Sequence, residues 1–169
     1  MNEAARERRG GAGFPSVAAI RREPRPLLAI LVGGLITGIL DLSYAILVYS
    51  PKDPIRIPQA IATGLLGRES FNLGTGSAVL GVACHFTIAL GAATVFYLAS
   101  RKLPLLTDHA VAAGMIFGAL VYFFMHLVVI PLSAVPKGPF RFMVQLREFV
   151  WHWFGVGLPI ALSVRRFSR

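Results

Sequence analysis

One cysteine, Cys84, stands in the whole chain, which rules out an intramolecular disulfide framework and any multi-cysteine zinc or iron–sulfur site. Acidic residues are scarce too: eight Asp and Glu face seventeen Lys and Arg, and charged residues make up only 15% of the sequence. A soluble domain carries about 25%. With 55% hydrophobic residues and a mean hydropathy of +0.65, that deficit argues against a water-facing fold and points to a membrane protein.

Other chemistries are missing as well. There is no Cys-x-x-Cys-His, so covalent haem attachment is excluded. The string Gly74-Thr75-Gly76-Ser77 lacks a third glycine and a preceding strand, so it is not a nucleotide cradle. The formal charge of +9 is no footprint for nucleic acid, because the Lys and Arg lie in tails and loops and not on a folded basic face.

What is present is a set of long apolar runs. A bilayer core needs about 20 apolar residues in helix. Four runs meet that length: 27–49, containing the single charge Asp41; 76–100, stopped by Arg101-Lys102; 109–132; and 145–164, with Pro159 inside and Arg165-Arg166 closing it. A proline within a span is tolerable because neighbouring helices can satisfy the carbonyl it frees. These runs predict an all-α membrane protein with four transmembrane helices in an antiparallel bundle.

Residues 1–25, rich in Arg, Gly and Pro, cannot bury enough surface to offset chain entropy and are expected to be a disordered basic tail; 166–169 form a short basic C-terminal tail. The pair Arg21-Arg22 is followed by Glu-Pro-Arg-Pro and not by an apolar stretch, so a twin-arginine signal is not expected, nor is a cleaved leader. The tails and the 101–108 loop hold most of the Arg and Lys, whereas the other two loops hold Lys52, Arg56, Arg68, Lys137, Arg141 and Arg147. The positive-inside rule then places both termini in the cytoplasm.

The first external loop carries a segment too short to span, 57–67. Ile57, Ala60, Ile61, Gly64 and Leu65 recur at helical spacing, while Gln59 and Thr63 line another face. This predicts a short external helix, interfacial or re-entrant, with Pro58 near its start. It either rests on the membrane or forms a lid over a site between the spans.

Lipid supplies no hydrophobic drive for helices to associate, so close backbone approach through small residues matters more. Gly34/Gly38, Ser77/Gly81 and Gly114/Gly118 are such pairs, and Glu148, His152, Gly155 and Pro159 share a stripe on the last run. Each stripe also carries a polar group in register. Asp41, His85, His126 and His152 put one ionisable residue on each of the four runs, and counting from the external end places all four within about one helical turn in depth. Such groups are costly in hydrocarbon and normally face a bundle interior. They form the candidate cluster, with Glu148, Tyr122, Gln59 and Thr63 as its rim or supporting contacts.

Three uses of that cluster stay open at this point. The groups can simply hydrogen-bond across the bundle. An Asp–His set titrating near neutrality can relay protons or act as a pH-sensitive latch. Three imidazoles and a carboxylate can also bind a metal ion, or two histidines a haem iron, in a redox or assembly factor. No catalytic residue is assigned, and no cofactor is required. Cys84 points about 100° around the helix from His85, so the two do not share a site. His109 is read as a residue at a helix start, and Trp151 and Trp153 as interfacial anchors.

The C-terminal half has a recognisable pattern: a histidine-bearing span, an Arg101-Lys102-Leu103-Pro104 turn, Gly114-x-x-x-Gly118 followed by His126 and Pro131-Leu132, then Trp151-His152-Trp153 leading to Gly157-Leu158-Pro159. Over roughly residues 76–165 this resembles the YagU-like family of four-helix bacterial inner-membrane proteins. The resemblance implies a location in the bacterial inner membrane and brings no activity or catalytic residue with it. The expected surroundings are the lipid bilayer, without nucleic acid. A second copy of the chain or another membrane protein is left open as a partner.

Overall fold

The structure, a computed structural model, describes residues 24–168. Nearly all of the basic N-terminal tail, together with Arg169, lies outside the described residues. Among the described residues the secondary structure is helical: α1 (Pro26–Tyr49), α2 (Arg56–Leu66), a 3-10 turn (Gly67–Asn72), α3 (Gly74–Lys102), α4 (Leu105–Asp108), α5 (Ala110–Phe124), a π-helical turn (Met125–Val129), α6 (Ile130–Leu132), α7 (Phe142–Trp151), a second π-helical turn (His152–Gly157) and α8 (Leu158–Phe167).

Among the described residues three helices are long and apolar enough to cross a membrane: Pro26–Tyr49, Gly74–Lys102 and Ala110–Leu132. Their ends follow from local chemistry. Pro26 opens α1, where its missing N–H and fixed φ cost nothing. Arg101 and Lys102 close α3 against the negative end of its dipole, and Leu103-Pro104 stops it. The run expected as a fourth span is also continuously helical, from 142 to 167. It differs from the other three in holding Arg147, Glu148, His152 and two tryptophans within one stretch, which lowers its apolar character.

Glycines set the helix contacts. A Cβ on Gly34 or Gly38 would strike Leu90 or Phe86 of α3, and one on Gly33 would press on Ser163 and Ile160 of α8. The chain directions are opposed in each pairing. Arg25 N–H donates to the Phe167 carbonyl at 2.8 Å, so the start of α1 and the end of α8 lie side by side. A backbone-to-backbone approach joins α5 to the last run, where Gly157 rests on the Gly114 carbonyl and Gly118 on the His152 carbonyl. A core of Ala29, Ala93, Phe96, Ala110, Val156, Ile160, Ala161 and Val164 fills one end of these contacts.

The short helix α2 is neither free nor lying on its apolar face. Its buried residues are Pro58, Gln59, Ala62 and Thr63, turned onto α3, whereas Leu65 is exposed. The polar face is inside because its groups are satisfied there. Gln59 Nε2 donates to the Gly74 carbonyl at 3.0 Å, and Thr63 Oγ1 donates to the Ala60 carbonyl at 2.6 Å. Ser70 Oγ donates to the Gln59 carbonyl at 2.7 Å, and Ser77 Oγ to the Ser70 carbonyl at 2.6 Å. Gly67 and Gly74, at φ +59° and +58°, are the two left-handed positions that let the chain reverse from α2 into α3. Ala134 N–H donates to the Gly64 carbonyl at 3.0 Å and ties the loop after α6 to the same helix.

Gly81 of α3 lies under the Pro58 carbonyl, and a Cβ there would collide with backbone, which cannot rotate away. In a Cys84→Ala background, Ala62→Cys, fully buried in the α2–α3 contact, is expected to resist a maleimide. Adding Gly81→Val should make that cysteine react several-fold faster, because overpacking of about 1–3 kcal/mol dislodges α2. An unchanged rate would show that α2 is not held by this contact.

Candidate functional site

α1, α3, the Ala110–Leu132 helix and the last run leave a cavity of about 240 Å³ between them, and α2 closes one side of it. Thr37, Asp41 and Ala45 line it from successive turns of α1, and Glu148, His152 and Val156 do so from the last run. His85 and Ile88 face it from α3, Met125, His126 and Ile130 from the third long helix, and Ile57 and Ile61 from α2. The four residues of the expected cluster, one from each run, therefore share one cavity, and Glu148 shares it too. Gln59 and Thr63 are not on its wall: both are buried, Gln59 bonded to the Gly74 carbonyl at the start of α3 and Thr63 to the Ala60 carbonyl of its own helix. Tyr122 is behind the wall: it is buried, its ring stacks on His126 (centroids 4.1 Å apart) and meets the edge of His152 at 5.4 Å. Its hydroxyl donates to Gln145 Oε1 at 2.8 Å.

All three imidazoles are anchored in the same manner. His85 Nε2 lies 3.0 Å from the Gly38 carbonyl of α1, His126 Nδ1 3.0 Å from the Tyr122 carbonyl, and His152 Nδ1 2.7 Å from the Glu148 carbonyl. A carbonyl only accepts, so the ring nitrogen facing it carries the proton. In the neutral ring the second nitrogen, Nδ1 of His85 and Nε2 of His126 and His152, then keeps its lone pair. Asp41 is held differently: its Oδ1 accepts from the Trp151 indole N–H at 2.9 Å, and Tyr44 stacks on that indole at 4.0 Å with the rings 7° from parallel.

His126 and His152 both stand in π-helical turns. In the first, Ile130 N–H reaches back to the Met125 carbonyl; in the second, Leu158 N–H reaches the Trp153 carbonyl. Each turn runs into a proline, Pro131 or Pro159, which lacks an N–H and crowds the carbonyl four residues earlier. Widening the helix by one residue relieves that crowding, and such turns recur at functional sites. On the last run the effect is specific. Gly155 is not on the cavity wall with Glu148 and His152, as the stripe predicts; it leaves the space occupied by the Trp151 indole.

Trp151 is the participant that sequence reasoning missed, because a tryptophan near a span end reads first as an interfacial anchor. Gly155 four residues later was the available signal, since a helical glycine there makes room for a large ring. Thr37 was also missed, although it precedes Asp41 by one turn; its Oγ1 donates to the Val156 carbonyl at 3.2 Å. Gln145 precedes Glu148 by three residues and His152 by seven, a spacing that places all three on one face.

Donor convergence bears on the metal reading. Among the described residues no three His, Cys, Asp or Glu come close enough together to hold a metal ion. The anchored imidazoles therefore do not come together as a ligand set. The cavity also falls below the ~300–1,000 Å³ of sites for larger organic ligands.

Comparison with protein-family models, with curated proteins and with solved structures finds no match to this chain.

Proposed function

We propose that the chain is a small polytopic protein of a bacterial inner membrane, with four antiparallel spans and both termini cytoplasmic, whose activity is the proton-linked handling of a small polar species in the Asp41–His85–His126–Glu148–His152 cavity. The 142–167 run serves as the fourth span. It lies along α1 and α5 through glycine contacts, and the junction of Arg25 with Phe167 supports a common side for both ends. The observation that carries the reading is that ionisable groups from all four runs line one cavity whose other walls are largely apolar. Ionisable groups inside a bilayer are expensive to keep and mark ion, proton or substrate sites. Each imidazole has one nitrogen tied to backbone and one lone pair free to take a proton. A carboxylate on either side, Asp41 and Glu148, compensates the charge that results. The placement suits transport or a pH-responsive role in the envelope; the lack of a ligand set among the described residues disfavours the metal alternative.

The test is a flux measurement in proteoliposomes. Liposomes holding the chain are expected to dissipate an imposed pH gradient faster than empty ones, and Asp41→Asn should return the rate to that of empty liposomes. A change at exposed His109, outside the cavity, should leave the rate unaltered. A rate no higher than that of empty liposomes, or one indifferent to Asp41→Asn, would overturn the reading.

A further inference from the structure

The hydrogen atoms around the cavity are nearly all committed to backbone. The Thr37 hydroxyl donates to the Val156 carbonyl, and the N–H groups of His85, His126 and His152 donate to the carbonyls of Gly38, Tyr122 and Glu148. Asp41 takes up the indole N–H of Trp151 and still has lone pairs to spare, and Glu148 adds a second carboxylate to the wall. With the imidazoles neutral, the polar groups of the wall are acceptors: carboxylate oxygens and imidazole lone pairs. An anion entering this space would find no donor and two negative charges. A bare metal ion would find donors too dispersed to form a shell.

We infer that the cavity binds a small primary ammonium cation, ammonium itself or a short alkylammonium of a few heavy atoms. Such a cation brings several N–H donors of its own, directed at different acceptors around the wall, and its alkyl part packs on Ile57, Ile61 and Ile88. The size fits: about 240 Å³ exceeds the ~30 Å³ share of one water and is below the sites of larger organic ligands. The inference rests on the proton-linked reading of the same cavity and adds a sign to it. Protonating His85, His126 or His152 turns an acceptor into a charged donor, so proton uptake and cation binding exclude one another. The other titratable groups against those rings are Asp41 from α1, Glu148 from the last run and Tyr122, whose ring stacks on His126 and meets the edge of His152; Tyr49 and Arg147 in turn interact with Glu148, and α2 contributes only Ile57 and Ile61 to the wall.

The experiment is isothermal titration of the full chain in nanodiscs with methylammonium, tetramethylammonium and formate at about pH 8 and about pH 5.5. Methylammonium is expected to bind at the higher pH, to be displaced by ammonium, and to weaken about tenfold or more at the lower pH. Tetramethylammonium, which has the charge but no N–H, should not compete. Asp41→Asn keeps the shape and an acceptor for Trp151 and should cost about tenfold in affinity; Glu148→Gln, on the wall formed by the last run, should act in the same direction. Saturable formate binding, equal affinity for tetramethylammonium, or no methylammonium binding would overturn the inference. If methylammonium fails to bind while Asp41-dependent dissipation of a pH gradient persists, the ligand class is wrong and the proton-linked site stands. No dissipation together with no binding would remove both.

Discussion

Gly157→Ala is expected to be the most damaging single-methyl change in the molecule. The new Cβ would overlap the Gly114 carbonyl and press on the backbone of Gly118. Where a neighbour is the far end of a flexible side chain, a rotamer change absorbs the intrusion. Here both surfaces are main chain, so one helix must move off the other. Overpacking costs about 1–3 kcal/mol, and with no side chain to yield the upper end applies. The displacement would also act at a distance, because Gly118 lies against His152 and the same interface positions that imidazole over the cavity. The thermal midpoint of the detergent-solubilised protein should fall steeply and the monodisperse peak in size exclusion should broaden. Gly91→Ala provides the matched control: it stands in mid-α3 with open space around its Cβ position. Helix propensity favours alanine there by about 1 kcal/mol, so that variant should be neutral or slightly more stable. Equal loss in both variants would refute the backbone contact.

Trp151→Phe is expected to produce the second large effect, through Asp41. The indole N–H is the partner of a half-buried carboxylate, and hydrogen bonds to charged groups contribute about 1.5–3 kcal/mol. Phenylalanine keeps a ring to stack on Tyr44 and fill the space beside Gly155 but donates nothing, so the loss isolates the hydrogen bond. Partial exposure of Asp41 puts the expected value toward the lower end of that range, about 1.5 kcal/mol. Asp41→Ala removes the charge itself and leaves only a neutral indole N–H unpaired, so the double variant should lose less than the sum of the two single changes. A double-mutant cycle on thermal or urea unfolding measures this coupling; additivity within about 0.5 kcal/mol would mean that the pair contributes nothing.

Much of the architecture follows from one-dimensional pattern. The length of an apolar run against the thickness of a bilayer fixes where a helix can cross, and Pro26, Arg101-Lys102 and Leu103-Pro104 mark ends by chemistry that acts within a turn. The glycine pairs were readable for the same reason: spacing by four places both on one face, and only a missing side chain lets two backbones meet in lipid. The expectation that Asp41, His85, His126 and His152 converge needed only the helical rise and the alternation of direction, and the four line one cavity.

Other features depend on partners far away in the chain. Gln59 and Thr63 looked like the polar side of an amphipathic helix, yet they are buried, because the Gly74 carbonyl and the chain's own Ala60 carbonyl satisfy them there. Trp151 looked like an anchor at the membrane surface, and a carboxylate 110 residues earlier turns it inward. Gly155 looked like part of the cavity stripe, until the π-turn beside Pro159 changed the phase of the helix and gave its space to the indole. The sequence by itself determined the helices, their glycine faces and the polar residue on each, since these rest on period, length and local terminators. The tertiary structure alone decided which donor met which acceptor: in hydrocarbon a polar group must find its partner wherever the fold brings one, and sequence spacing carries no record of that distance.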